Sequence, residues 1–167
     1  MSIFNNVTAF DQYTYQELIF THTAALHASG DVVADIQVVA AAVGGNDQIG
    51  QLVGFAMIDR ANNTAADMEI IVSRENSSIG TEGSAFSAND DVVRQFMGII
   101  KIAAGDWVAT TVNKIATFYE GNQLPIAIEP KAGTDDIYMA VVTRGTPTYG
   151  TTVDLRAQLI FRNGKTG

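Results

Sequence analysis

Apolar and polar residues alternate with a period of two along most of this chain, the mark of strands with one face in a core. The pattern is cleanest near the carboxyl end. There Val153, Leu155, Ala157, Leu159 and Phe161 interleave with Asp154, Arg156, Gln158 and Arg162. Between Asp31 and Ala40, Val32, Ala34, Ile36 and Val38 fall on one face, with Asp31, Asp35 and Gln37 on the other. Met68, Ile70 and Val72 alternate with Asp67, Glu69 and Ser73 in the same way. Further strands are predicted over 12–25, 51–59, 108–118 (with a break), 124–129 and 137–144. Strict alternation puts Val33, Val39 and Ile71 on outward faces, as exposed apolar positions.

Turn chemistry separates these runs: Ser29-Gly30-Asp31, Gly44-Gly45-Asn46-Asp47, Ala61-Asn62-Asn63-Thr64, Glu120-Gly121-Asn122 and Pro130-Lys131-Ala132-Gly133. Strands spaced by turns without intervening helices indicate a sandwich or barrel rather than βαβ units. Propensity alone does not separate a jelly roll from an immunoglobulin-like or other sandwich. The expected fold is all-β: a β-sandwich in jelly-roll form, with about eight or more antiparallel strands.

Three segments stand apart. Asn89-Asp90-Asp91 followed by Val92, Val93, Phe96, Ile99, Ile100 and Ala103 fits a capped amphipathic helix, but its β-branched residues and Gly98 favour a strand. Residues 74–90, rich in Ser, Gly, Asn and Glu, form one long loop, a class that is commonly functional or mobile. Residues 1–11 are expected to form an arm ahead of a single domain over 12–167. The arm carries Ile3, Phe4, Val7 and Phe10 with almost no charge, so these four are the candidate interface residues; forming the domain's own first strand is the alternative.

Only 17% of the 167 residues are charged, against roughly a quarter in ordinary soluble domains. Much of the surface is therefore Thr, Asn, Gln, Gly and Ala, and neighbours are expected to cover part of it. Eighteen Asp and Glu against ten Lys and Arg, net −8, argue against nucleic acid and anionic membrane surfaces as partners. With no cysteine, disulfides, thiolate nucleophiles and cysteine metal sites are excluded. The amino-terminal MSIFNNVTAFDQ lacks the basic and apolar regions of a signal peptide. Synthesis in a host cytoplasm is the expectation.

Candidate chemistry is sparse. His22 and His27, five apart, point to opposite faces of a strand and are poorly placed to share a metal; both read as surface or pairing residues. Asp90-Asp91 and Asp135-Asp136 read as strand-initiating turns rather than calcium ligands. Tyr13, Tyr15, Phe20, Trp107, Phe118 and Tyr119 read as core, with stacking on a ligand as the alternative. Trp107, after Gly105-Asp106, is expected at a sheet edge or corner. No enzyme activity, cofactor or metal is expected.

The run GIIKIAAGDW from Gly98, followed by NKIATFYEGNQLPIAIEPKAG, IYMAVVTRGTPTYG and VDLRAQLIFR, resembles the strand succession of jelly-roll accessory proteins of tailed-bacteriophage virions, above all capsid decoration (cement) proteins. The likeness spans residues 92–162 and is one of strand style and composition, so no family site is carried over. It implies a homotrimer or other small oligomer on the outside of an icosahedral shell, partnered by the major capsid protein and by copies of itself. Docking would use the arm and one end of the sandwich. The alternative from another class is a tail or baseplate module that binds a receptor or carbohydrate through residues 74–90 and exposed aromatics.

Overall fold

The computed structural model describes residues 12–45, 48–61 and 66–163. In chain order the elements are β1 (Gln12–Phe20), β2 (Val32–Val39), β3 (Gly50–Asp59), β4 (Met68–Ser73), a one-turn helix α1 (Asp90–Val93), β5 (Phe96–Ile102), a 3-10 turn (Ala104–Asp106), β6 (Val108–Ala109), β7 (Lys114–Tyr119), β8 (Ile126–Ile128), β9 (Ile137–Thr143) and β10 (Leu155–Asn163).

The pairing is that of one long hairpin rolled up. β1 pairs with β10, β2 with β9, β3 with β7 and β4 with β5, all antiparallel. Rolling then brings β10 against β3 and β9 against β4. The result is a sheet ordered β1-β10-β3-β7-β6, with β8 also on β3, packed on a sheet ordered β2-β9-β4-β5. This is a jelly roll. The alternation read from β10 holds: Leu155, Ala157, Leu159 and Phe161 lie in the core between the sheets, with Phe20, Leu52, Met57, Ile70, Ile100 and Met139.

The expected exposure of Val33, Val39 and Ile71 is overturned, since all three are buried. In β2 the register against β9 slips between Val32 and Ala34 and again between Ala34 and Gln37. Each bulge sets two successive residues against one partner, which breaks strict alternation. Ile71 does face outward from its sheet, but residues 74–96 fold over that face. Ile79, Phe86, Val92 and Phe96 pack there on Val32, Ile71, Ala140 and Val142 as a second small core. Two strand-like bonds and one side-chain bond pin this cover: Val32 N donates to Ser84 O at 2.9 Å, Gly83 N to Val32 O at 2.9 Å, and Ile79 N to the Asp35 carboxylate Oδ1 at 2.9 Å.

The segment 89–104 divides. Asn89 caps α1 by accepting from Val92 N at 3.0 Å, and the β-branched stretch beyond Gln95 extends as β5. Asp90 and Asp91 thus open a helix, not a strand. β1 stops at Phe20 rather than running to residue 25, a difference that changes the place of both histidines.

Candidate functional site

Among the described residues, the outer face of the β1-β10-β3-β7 sheet is where side chains converge without a cover. Residues directly opposite across antiparallel strands share a face. The register aligns Tyr15, Ile160, Gly54 and Tyr119 in one row across four strands. The next row reads Glu17, Gln158, Ala56 and Thr117. Tyr15 and Tyr119 are 72% and 66% exposed and stand three strand spacings apart, about 14 Å. Between them the surface sinks, because Gly54 and Ala56 project little. A Cβ on Gly54 would lie 2.9 Å from Ile160 Cδ1, so the absent side chain lets Ile160 lie flat across the floor. The hollow is an open trough of about 690 Å³.

Ion pairs close the trough at both ends. Arg162 pairs with Glu120 at 2.8 Å and bonds the Gln51 side chain, while Arg156 pairs with Glu17 at 3.2 Å. Both flanking arginines are therefore paired, and the one charged side chain lining the trough, Glu17, is paired with Arg156. The trough suits an uncharged, elongated, partly apolar occupant, not an anion.

At one end of the sandwich the connectors 21–31 and 144–154 pair with each other and enclose a second cluster. Tyr149 N donates to Ala25 O at 3.0 Å and His27 N to Pro147 O at 3.0 Å. The Tyr149 ring is buried between His22 and His27, with centroids 4.7 and 5.8 Å away. The expectation of surface histidines is corrected: both are buried, because they sit in this connector rather than on a strand.

His22 Nε2 accepts from Asp154 N at 3.1 Å, so Nδ1 carries the proton and donates to Thr23 O at 3.2 Å. Burial pushes the His22 pKa down, aided by His27 and opposed by the Thr23 carbonyl, Asp154 and Glu82. Burial pushes the Tyr149 hydroxyl pKa up, with Asp59 and Asp154 adding to it. For Asp154 burial acts upward, but bonds from the Thr151 hydroxyl and amide outweigh it and hold the carboxyl below its ordinary range. A neutral, doubly bonded His22 is a structural tie, with neither ring nitrogen left for a metal or a substrate.

Ile3, Phe4, Val7 and Phe10 lie outside the described residues. Phe20 and Phe118 are core, whereas Tyr13, Tyr15 and Tyr119 are exposed on the outer sheet face. Trp107 occupies the corner between the 3-10 turn and β6, donating Nε1–H to Ala66 O at 2.9 Å. Asp136 ties the connector before β9 to the one after β2, accepting from Ala41 N at 2.9 Å. Among the described residues no group of three or more His, Asp or Glu could hold a metal ion, and no helix is long and apolar enough to cross a membrane. The trough has a faint sequence signal: odd-numbered Tyr13, Tyr15 and Ile19 are apolar on the face of β1 that alternation assigns to solvent.

No protein-family model and no curated protein matches the chain. Among solved structures, a chain from a structure of deformed wing virus carrying the GFP gene is similar to it. The TM-score is 0.42 and the identity 9%, covering 97% of this chain and 79% of that one.

Proposed function

We propose that this chain is a structural subunit of a virus particle, a decoration subunit that binds the outside of an icosahedral shell and reinforces it. The observation that carries this reading is the outer face of the β1-β10-β3-β7 sheet, which no described residue covers. A protein with 17% charged residues displays Tyr13, Tyr15, Ile19 and Tyr119 together there, at 41–72% exposure. Apolar patches of this kind are the ordinary mark of a surface that another protein covers. Jelly rolls build many capsids and lectins, so the fold agrees with this role by analogy only. A subunit that binds only the assembled shell stabilises it by mass action and needs no chemistry. Self-association, as a trimer or another small oligomer, belongs to the same reading.

Co-sedimentation with shells that lack the protein tests it. The intact chain should pellet with shells and raise their melting temperature, while the Tyr15→Ala/Tyr119→Ala variant should bind at least tenfold more weakly. A chain that leaves every shell untouched contradicts the reading.

A second reading, a carbohydrate-binding module of a tail or baseplate, draws on the same two tyrosines. Rings flanking a floor with Gln158 and Thr117 could stack on sugar faces while the amide and hydroxyl bond their hydroxyl groups. Specific hits on a glycan array, lost in the same double variant, would favour it.

A further inference from the structure

We infer that the tyrosine-walled trough receives the amino-terminal arm, residues 2–10, of a second copy of this chain. Three observations select this occupant. The trough has an apolar floor of Ile160, Gly54 and Ala56, its one charged lining residue, Glu17, is paired with Arg156, and Arg162 beside it is held by Glu120. It therefore offers nothing to a charged ligand. The stretch SIFNNVTAF carries no charge and spaces Ile3, Phe4, Val7 and Phe10 along its length. Its nine residues reach about 30 Å when extended, twice the roughly 14 Å between Tyr15 and Tyr119.

Direction selects another copy's arm over the chain's own. The described chain starts at Gln12, opposite Asn163 at the far end of β10, and β1 runs from there toward the trough. Residues ahead of Gln12 that continue the strand lead away from the trough. To fill its own trough the arm must reverse direction within residues 2–11 and pass back across Tyr13 and the Arg162–Glu120 pair. An extended arm crossing to a neighbour meets no such obstacle.

This deepens the assembly reading and rests on it only for the presence of neighbouring copies. The chain has no cysteine, so introduced pairs report contacts without background. Full-length Asn6→Cys chains are mixed with full-length Thr117→Cys chains under mild oxidation, and in parallel with Thr81→Cys chains, whose thiol lies on the loop covering the other sheet. The expected result is mixed disulfide with Thr117→Cys forming about tenfold faster than with Thr81→Cys, as a raised effective concentration requires.

Adding Ala56→Trp or, separately, Tyr119→Ala to the Thr117→Cys chain should abolish the preference, with unchanged circular dichroism marking a folded variant. Equal rates overturn the inference, and so does a preference that survives both blocking variants. A disulfide that forms only within a chain carrying both cysteines assigns the trough to its own arm and also overturns it. None of these outcomes depends on whether particles carry the protein, so a failure here is distinct from a failure of the shell-binding reading.

Discussion

Gln123 pairs with Lys101 as a neighbouring strand would. Lys101 N–H donates to Gln123 Oε1 at 2.7 Å, and Gln123 Nε2 donates back to Lys101 O at 2.7 Å. Lys101 lies on β5, an edge strand whose outward backbone groups meet no strand among the described residues. Gln37 treats Thr21 in the same way at the opposite corner, accepting from its N–H and donating to its carbonyl. Edges left open invite pairing with other chains, and side-chain amides close these two.

Gln123→Ala should lower stability by about 1 kcal/mol, the net worth of partly exposed hydrogen bonds. That corresponds to a melting temperature lower by roughly 2–4 °C. Gln123 holds φ at 63°, and alanine meets the same backbone strain there, so the change reports the lost bonds. An unchanged thermal melt would show that the pairing contributes nothing.

Gly98 on β5 faces Ile126 on β8 across the core, where a Cβ would come within 2.9 Å of Ile126 Cδ1 and Cγ2. Gly98→Ala should cost about 1–3 kcal/mol by overpacking. Ile126→Ala alone should cost about 2–5 kcal/mol by leaving a cavity. The double variant should be less destabilised than the sum, because the new methyl occupies vacated space. Urea unfolding of the three variants checks this, and strict additivity would refute the contact.

Ile79→Ala tests the cover over the β2-β9-β4-β5 sheet. Ile79 is wholly buried against Val32 and Ile71 within residues 74–96. Its truncation should cost about 2–5 kcal/mol and increase binding of a hydrophobic dye as the cover loosens. A loss below about 0.5 kcal/mol, the range of surface substitutions, would mean that residues 74–96 are a loop lying on the sheet rather than part of its core.

The sheets were legible because β10 and β4 keep a period of two in sequence, the pattern of a pleated strand with two unlike faces. The jelly-roll order was less so, since pairing of first with last strand leaves no local trace. Alternation failed at Val33 and Val39, where bulges shift the register, and at Ile71, where a polar-looking loop brings Ile79 and Phe86 back over the outer face. It failed also at His22, since nothing local announces that β1 ends at Phe20 and hands over to a connector closed by Tyr149. The trough was half legible: Tyr15 and Tyr119 were singled out, but their common row depends on pairings that run through β10 and β3.

His22 predicts a pH dependence. It is neutral in the folded chain, with its pKa pushed down by burial, whereas in the unfolded chain it titrates near 6.5. The unfolded state therefore binds more protons as pH falls. The His22 contribution is fully present above about pH 6.5 and is lost below it, by up to about 1.4 kcal/mol per pH unit. Asp154, held below its ordinary range, loses its contribution only at lower pH, in the carboxylate range. His22→Phe should lower stability at pH 8, through two lost bonds, yet flatten its decline between pH 6.5 and 5. An unchanged slope in that interval would rule His22 out as its source.

The central claim is that this jelly roll is a virion subunit whose tyrosine-lined sheet face is covered when it assembles. Cryo-electron microscopy of particles purified from the source of the chain tests it most directly. The account predicts density for the sandwich on the outside of the shell, with Tyr15 and Tyr119 buried against a neighbouring copy or the shell protein. Particles without this density, or density in which the β1-β10-β3-β7 face stands open to solvent, would contradict it.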